Sequence, residues 1–215
     1  MRGKGYDGAS NMSGAFNGLK SLILNENNFA HYIHCFAHQL QLVVVAVAKK
    51  HDDVDEFFEQ LALVVTVVCG SCKRKDMIRE MQKERVATEI DIGETETGRG
   101  LNQEISLIRV GDTRHGSHFR TILSLLNLFA EVVAVLKYVK DEGSTLSNRN
   151  QAKCILSYFK TLDFVFLLHL MLEILCLTDT LSKHLRKKDQ DILEATSLVI
   201  DTKKALLVFR KDGFP

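Results

Sequence analysis

The chain has 215 residues, 46% hydrophobic and 26% charged, with a formal net charge of +1 at pH 7. That is the composition of an ordinary globular protein, long enough to bury a real core as one large domain or two small ones. It excludes a global electrostatic field that would draw the chain onto nucleic acid, so any such contact has to come from a local patch.

The five cysteines, Cys35, Cys69, Cys72, Cys154 and Cys176, are sparse and odd in number. Four of them fall in or beside apolar helical patterns, where reduced thiols behave as small core residues, and an intracellular, reducing compartment follows. The polar, glycine-rich start carries no secretory signal. Pro215 is the only proline, so long unbroken helices are permitted. Both ends have the look of a segment cut from a longer protein.

Residues 1–13 read as a loop punctuated by Gly3, Gly5 and Gly8, with Asp7 among them. A helix is expected from Ser13, its N-cap, with Phe16, Leu19, Leu22 and Ile23 at helical spacing, ending near the turn-rich 25–28. Residues 29–35, aromatic and β-branched, suit a short strand. From His38 to Lys50 comes an apolar helix; its valine run raises a strand alternative, but length and alanines favour helix. The stretch 53–86 keeps helical period through Val54, Phe57, Phe58, Leu61, Val64, Val65 and Val68. It then turns charged and amphipathic, with Met77, Ile78 and Met81 on one face.

Residues 88–104 lack periodicity and predict a flexible loop, and 111–119 a second turn-rich stretch. Helices are expected over 117–140, 149–186 with a break near Asp163, and 188–211; 141–150 reads as a linker. The most apolar run, 164–177, is too short for a span of roughly 20 residues and carries His169 and Glu173, which predicts a buried helix and no membrane partner. No fixed-period repeat is present.

His31, His34, Cys35 and His38 crowd into eight positions. Cys35 with His38, and Cys69 with Cys72, form two pairs of ligand-like spacing, but an apolar helical stretch separates them, and packed or hydrogen-bonded side chains are the favoured reading over a zinc site. Cys69 and Cys72 fall at i and i+3, as core cysteines on one helix would. A thioredoxin-like role requires the pair at a helix N-terminus after a strand, and an apolar helical run precedes this one. Cys35 with His38 lacks the third group that nucleophilic catalysis needs. Asp7, in a loop directly before a helix, can hold a divalent metal, but one carboxylate cannot support two-metal chemistry, and a turn aspartate is the commoner role. Lys73, Arg74 and Lys75, and later Lys183, Arg186, Lys187 and Lys188, can meet phosphates. Cations drawn to helix ends by the macrodipole are the commoner case.

Taken in order, GYDGASNMSGAFNGLKSLI, HYIHCFAHQLQL, SCKRKDMIREMQ, GRGLNQEISLIRVGDTRHGSHFRTI and RKKDQDILEATSLV resemble one family over essentially the whole chain. It is the plant zinc finger MYM-type or TTF-type proteins with a hAT dimerisation domain, derived from hAT-superfamily transposases. The resemblance implies a mainly α chain: a helical insertion domain attached to a partial RNase H-like α/β core with one or two short strands near the N-terminus. Residues 1–50 would carry the partial core and 51–215 the insertion. In the family, two aspartates and a glutamate bind two metal ions for DNA cleavage and joining.

Asp7 matches the second family aspartate, and Cys35 with His38 the Cys-x-x-His element. Arg114 and His115 stand where the family has Arg-Trp, the tryptophan being implicated in handling the DNA end; histidine stacks less well, and both are nucleic-acid-binding candidates. The first aspartate, the glutamate, an N-terminal zinc finger and the dimerisation segment have no match here. The expectation is a domesticated or decayed transposase segment that is not an enzyme. It would use no cofactor, since magnesium belongs to complete family members, and would sit in the nucleus or cytoplasm, with the nucleus favoured. Weak DNA binding is the first expected activity. The rival is a helical module that meets protein partners, or itself, through exposed apolar surface around residues 15–45.

Overall fold

A computed structural model describes residues 3–6, 8–93, 104–108, 117–187 and 191–213. The fold is mainly helical, as expected. The chain divides into two compact units, Met1–Lys50 with Cys176–Pro215, and His51–Leu175.

In the first unit, β1 (Gly3–Tyr6) and β2 (His31–His34) pair in parallel, with Gly3 opposite His31 and Tyr6 opposite His34. Parallel strands need a crossover, and two short helices supply it: α1 (Ser10–Ser13) and α2 (Leu19–Glu26). Ser13 is therefore not an N-cap. It closes α1, its Oγ donating to the Gly8 and Ala9 carbonyls at 3.0 and 3.1 Å. Between the helices a Cβ on Gly18 would run into the backbone of Gly14, so the close approach there requires glycine. Asn27 Oδ1 accepts from Phe29 N at 3.1 Å and turns the chain into β2.

Directly after β2, α3 (Phe36–Ala48) starts two residues ahead of the expected His38. Ala37 is its one buried residue, while Phe36, Leu42, Val43 and Val47 are exposed. The last helix, α10 (Ile192–Asp212), begins later than the expected 188 because Asp191 is the N-cap, its Oδ1 accepting from Glu194 N at 2.7 Å.

The second unit holds α4 (Asp52–Cys69), α5 (Cys72–Asp91), α6 (Ser117–Asn127), α7 (Phe129–Glu142), α8 (Leu146–Tyr158) and the first part of α9 (Leu162–His184). Phe57, Leu61, Val64, Val65 and Val68 of α4 recur at helical spacing and are buried, as are Val132, Val135, Leu136 and Val139 of α7. Phe159 stacks on Phe164 with centroids 4.5 Å apart, and Phe129 and Phe57 flank that pair.

Two helices expected to be continuous are broken, and a third breaks as expected. The stretch 53–86 divides at Gly70–Ser71, and 117–140 divides at the fully buried Leu128, where α6 and α7 meet at 81°. The third break, expected near Asp163, falls at 159–161, where Thr161 Oγ1 accepts from Phe164 N at 3.2 Å and starts α9. Residues 88–91, expected in a loop, are the last turn of α5, and past its C-cap Ile92 the chain turns away at Gly93 with φ +74°.

The 23 residues of α9 also correct the short apolar run 164–177: by length and composition this helix could cross a bilayer. Phe164, Leu167, Leu168, Met171 and Leu175 nonetheless form one buried stripe, as in the core helix of a globular unit.

Candidate functional site

The parallel pairing brings two loops to one edge. Tyr6 lies opposite His34, so the residues that follow the two strands leave at the same, C-terminal end of the pair. Open parallel sheets place ligands outside that end. His34 lies against Gly8 there: a Cβ on Gly8 would meet its ring at 3.0 Å. Its ring also lies 5.2 Å from that of His38, tilted by 44°, while Gln39 Nε2 donates to the His34 carbonyl at 3.2 Å. His34 Nε2 is buried without a hydrogen-bond partner among the described residues. Cys35 is the half-buried N-cap residue of α3, with no hydrogen bond from its side chain to the helix end. Thus Gly8, His34, Cys35 and His38 gather at one strand end. His31, at the other end of β2, does not join them.

A second cluster lies in the other unit. Cys69 ends α4 and Cys72 opens α5, so the two cysteines do not share one helix. Neither is buried: Cys72 is exposed, as are Cys154 and Cys176, and Cys35 and Cys69 are half-buried, so these thiols are not core residues. Lys73, Arg74 and Lys75 follow in the first turn of α5, which carries no acidic side chain. This is the positive end of the helix, so the macrodipole does not account for them, whereas Lys183 lies in the last turn of α9, where it does. Lys73 donates to Tyr138 Oη at 2.7 Å and lies over that ring, and the hydrogen bond raises its pKa. Arg74 Nε is buried without a partner among the described residues.

Against this turn lies residues 104–108, held from several sides. Glu104 pairs with Arg79 at 2.7 Å, and Gln82 Oε1, 5% exposed as a residue, accepts from Ile105 N at 3.1 Å. Ser124 Oγ accepts from Ile108 N at 3.3 Å, and Thr121 Oγ1 donates to the Ile108 carbonyl at 3.0 Å. A cleft of about 350 Å³ between this segment and α5 is lined by Cys69, Lys75, Ile78, Arg79, Glu104 and Leu107.

Asp7, Arg114 and His115 lie outside the described residues. Of the other sequence candidates, Cys35 and His38 share the strand-end cluster. Among the described residues no group of three or more His, Cys, Asp or Glu side chains is arranged to hold a metal ion. No family model matches the chain, and no solved structure matches it.

Gln82, Tyr138 and the Arg85–Glu131 pair escaped sequence reading. Each reaches a partner more than twenty residues away, and no local spacing announces such contacts.

Proposed function

We propose that this chain is a segment of a hAT-type transposase, domesticated or decayed, that binds DNA weakly and does not cut it. The observation that carries the reading is the parallel pair β1–β2 with its helical crossover. This is the strand arrangement that an RNase H-like core needs around its second aspartate, and Asp7 follows β1 directly in sequence. Of the three acids that the family uses, the sequence offers a match for one, and two-metal phosphoryl chemistry requires several converging carboxylates. Lys73, Arg74 and Lys75 at the positive end of α5 are a place where backbone phosphates can land. The nucleus is the matching compartment.

Fluorescence anisotropy with labelled duplex DNA tests this. Binding is expected at low salt, falling steeply between about 50 and 200 mM, and weaker in the Lys73→Gln, Lys75→Gln double variant. No binding at the lowest salt overturns the reading. Appearance of nicked DNA with added magnesium overturns its inactive half.

A second reading has its own observation. Phe16, Leu22, Phe29, Ile33, Phe36, Leu42 and Val43 are exposed, which is the apolar surface expected around residues 15–45. Exposed apolar side chains that form one patch mark protein contacts. A helical module that meets protein partners or itself is supported if the chain self-associates and ignores DNA.

A further inference from the structure

The junction between α4 and α5 places two thiols at the ends of one turn, beside a cleft and three cations. Gly70 has φ −71° and ψ 0°, and Ser71 has φ −143° and ψ 136°. A right-handed helical residue followed by an extended one is the type VIII turn, whose end Cα atoms lie within about 7 Å. A disulfide bridges Cα separations up to about 6.8 Å, so a turn of this kind brings Cys69 and Cys72 to a separation that a bond can close. Exposed disulfides are the readily reduced ones, and Cys72 is exposed.

The surroundings suit reaction. Cys72 is exposed, and Lys73, Arg74 and Lys75 follow it in the chain. Cys69 lines the cleft of about 350 Å³ together with Lys75, Arg79 and Glu104, so a small molecule has room beside its sulfur, while Cys72 is reached from solvent. Reactive cysteines occupy electropositive, accessible sites of this kind, and inert ones are buried among apolar groups.

We propose that Cys69 and Cys72 form a reversible dithiol–disulfide site that is oxidised by small anionic disulfides of the glutathione class. Cys72 gives up its proton, and its sulfur attacks one sulfur of the incoming disulfide, releasing the first glutathione thiolate. Cys69 then gives up its proton, attacks Cys72 Sγ and expels the second. Two protein thiols are oxidised to one disulfide, one glutathione disulfide is reduced to two thiols, and the two protons end on the released glutathiones. Oxidation also removes the Cys69 thiol that donates to the Leu107 carbonyl at 3.8 Å, which loosens one tie on residues 104–108.

The site does not depend on any role in DNA binding, and its test is separate. The reduced full-length chain is incubated with oxidised glutathione, its remaining thiols are alkylated, and the protein is mapped by mass spectrometry. The expected result is a peptide lighter by two hydrogens that spans Cys69 and Cys72, with Cys154 and Cys176 alkylated. Cys69→Ser should accumulate a stable glutathione adduct on Cys72. Replacing Lys73, Arg74 and Lys75 by Gln should slow the reaction with oxidised glutathione several-fold and leave that with neutral hydroxyethyl disulfide unchanged. A persistent Cys72 adduct in the unaltered protein overturns the proposal. So does alkylation of Cys69 and Cys72 to the same extent as Cys154 and Cys176.

Discussion

Arg85 Nε donates to Glu131 Oε1 at 2.7 Å, tying α5 to α7 through a carboxylate whose side chain is only 5% exposed. The same guanidinium reaches Glu89 at 2.9 Å and the Asn127 carbonyl at 3.4 Å. It therefore neutralises a charge that burial would otherwise make costly and satisfies a carbonyl set free where α6 stops at Leu128. Its pKa is raised, first by the hydrogen bond to Glu131 and then by that to Glu89.

Arg85→Met should destabilise the protein by about 2–3 kcal/mol, because it strands Glu131 without a cation. The figure lies below the ~3–5 kcal/mol of a fully buried pair, since solvent screens the Arg85 end. Glu131→Gln, which keeps an acceptor for the guanidinium, should cost about 1 kcal/mol. Urea unfolding of both variants decides this, and equal losses would show that charge is not the issue.

Gln82→Ala should release Ile105 N from its acceptor at a cost of about 1–2 kcal/mol. The local effect should exceed the global one. Amide exchange at Ile105 and its neighbours should quicken several-fold while the helix α7 amides keep their protection, as read by exchange mass spectrometry.

Tyr158 has a raised pKa, first because it is half-buried and then because Glu56, Asp163 and Asp53 lie near it. The folded chain thus holds this proton to higher pH than the unfolded chain does. Its contribution to stability is intact below about pH 10, the ordinary tyrosine value, and is lost as pH climbs through the higher folded value. Tyr158→Phe should lose less stability than the unaltered protein when urea midpoints at about pH 9 and about pH 11 are compared. Identical losses would count against the burial of this hydroxyl.

Val43 and Val47, one turn apart on α3, are 59% and 52% exposed. Replacing both by Asp should change the unfolding free energy from urea titration by no more than about 0.5 kcal/mol, since little burial is lost. Self-association measured by sedimentation velocity should fall. Unchanged association would remove this helix from any protein interface.

Much of this fold is legible in the residue order alone, because local periodicity and burial share a cause. The four residues of β2 announce a strand through Tyr32 and Ile33, and the apolar spacing of α4 and α7 marks the faces that become buried. Gathering His34, Cys35 and His38 at one strand end was equally local, since their spacing already placed them together.

Two of the three breaks were not legible. Neither Ser71 nor Leu128 interrupts a helical pattern by its own propensity. At Leu128 the interruption is stabilised from a distance, by full burial of its side chain and by Arg85 reaching the Asn127 carbonyl. At Gly70–Ser71 the extended backbone of Ser71 separates two helices, and this moved Cys72 from the middle of an expected helix to the exposed first residue of one. Sequence by itself determined the helical class and the apolar faces, through propensity and period, which act over a single turn. Only the tertiary structure decided where those helices stop, because their ends depend on partners that the chain brings together after tens of residues.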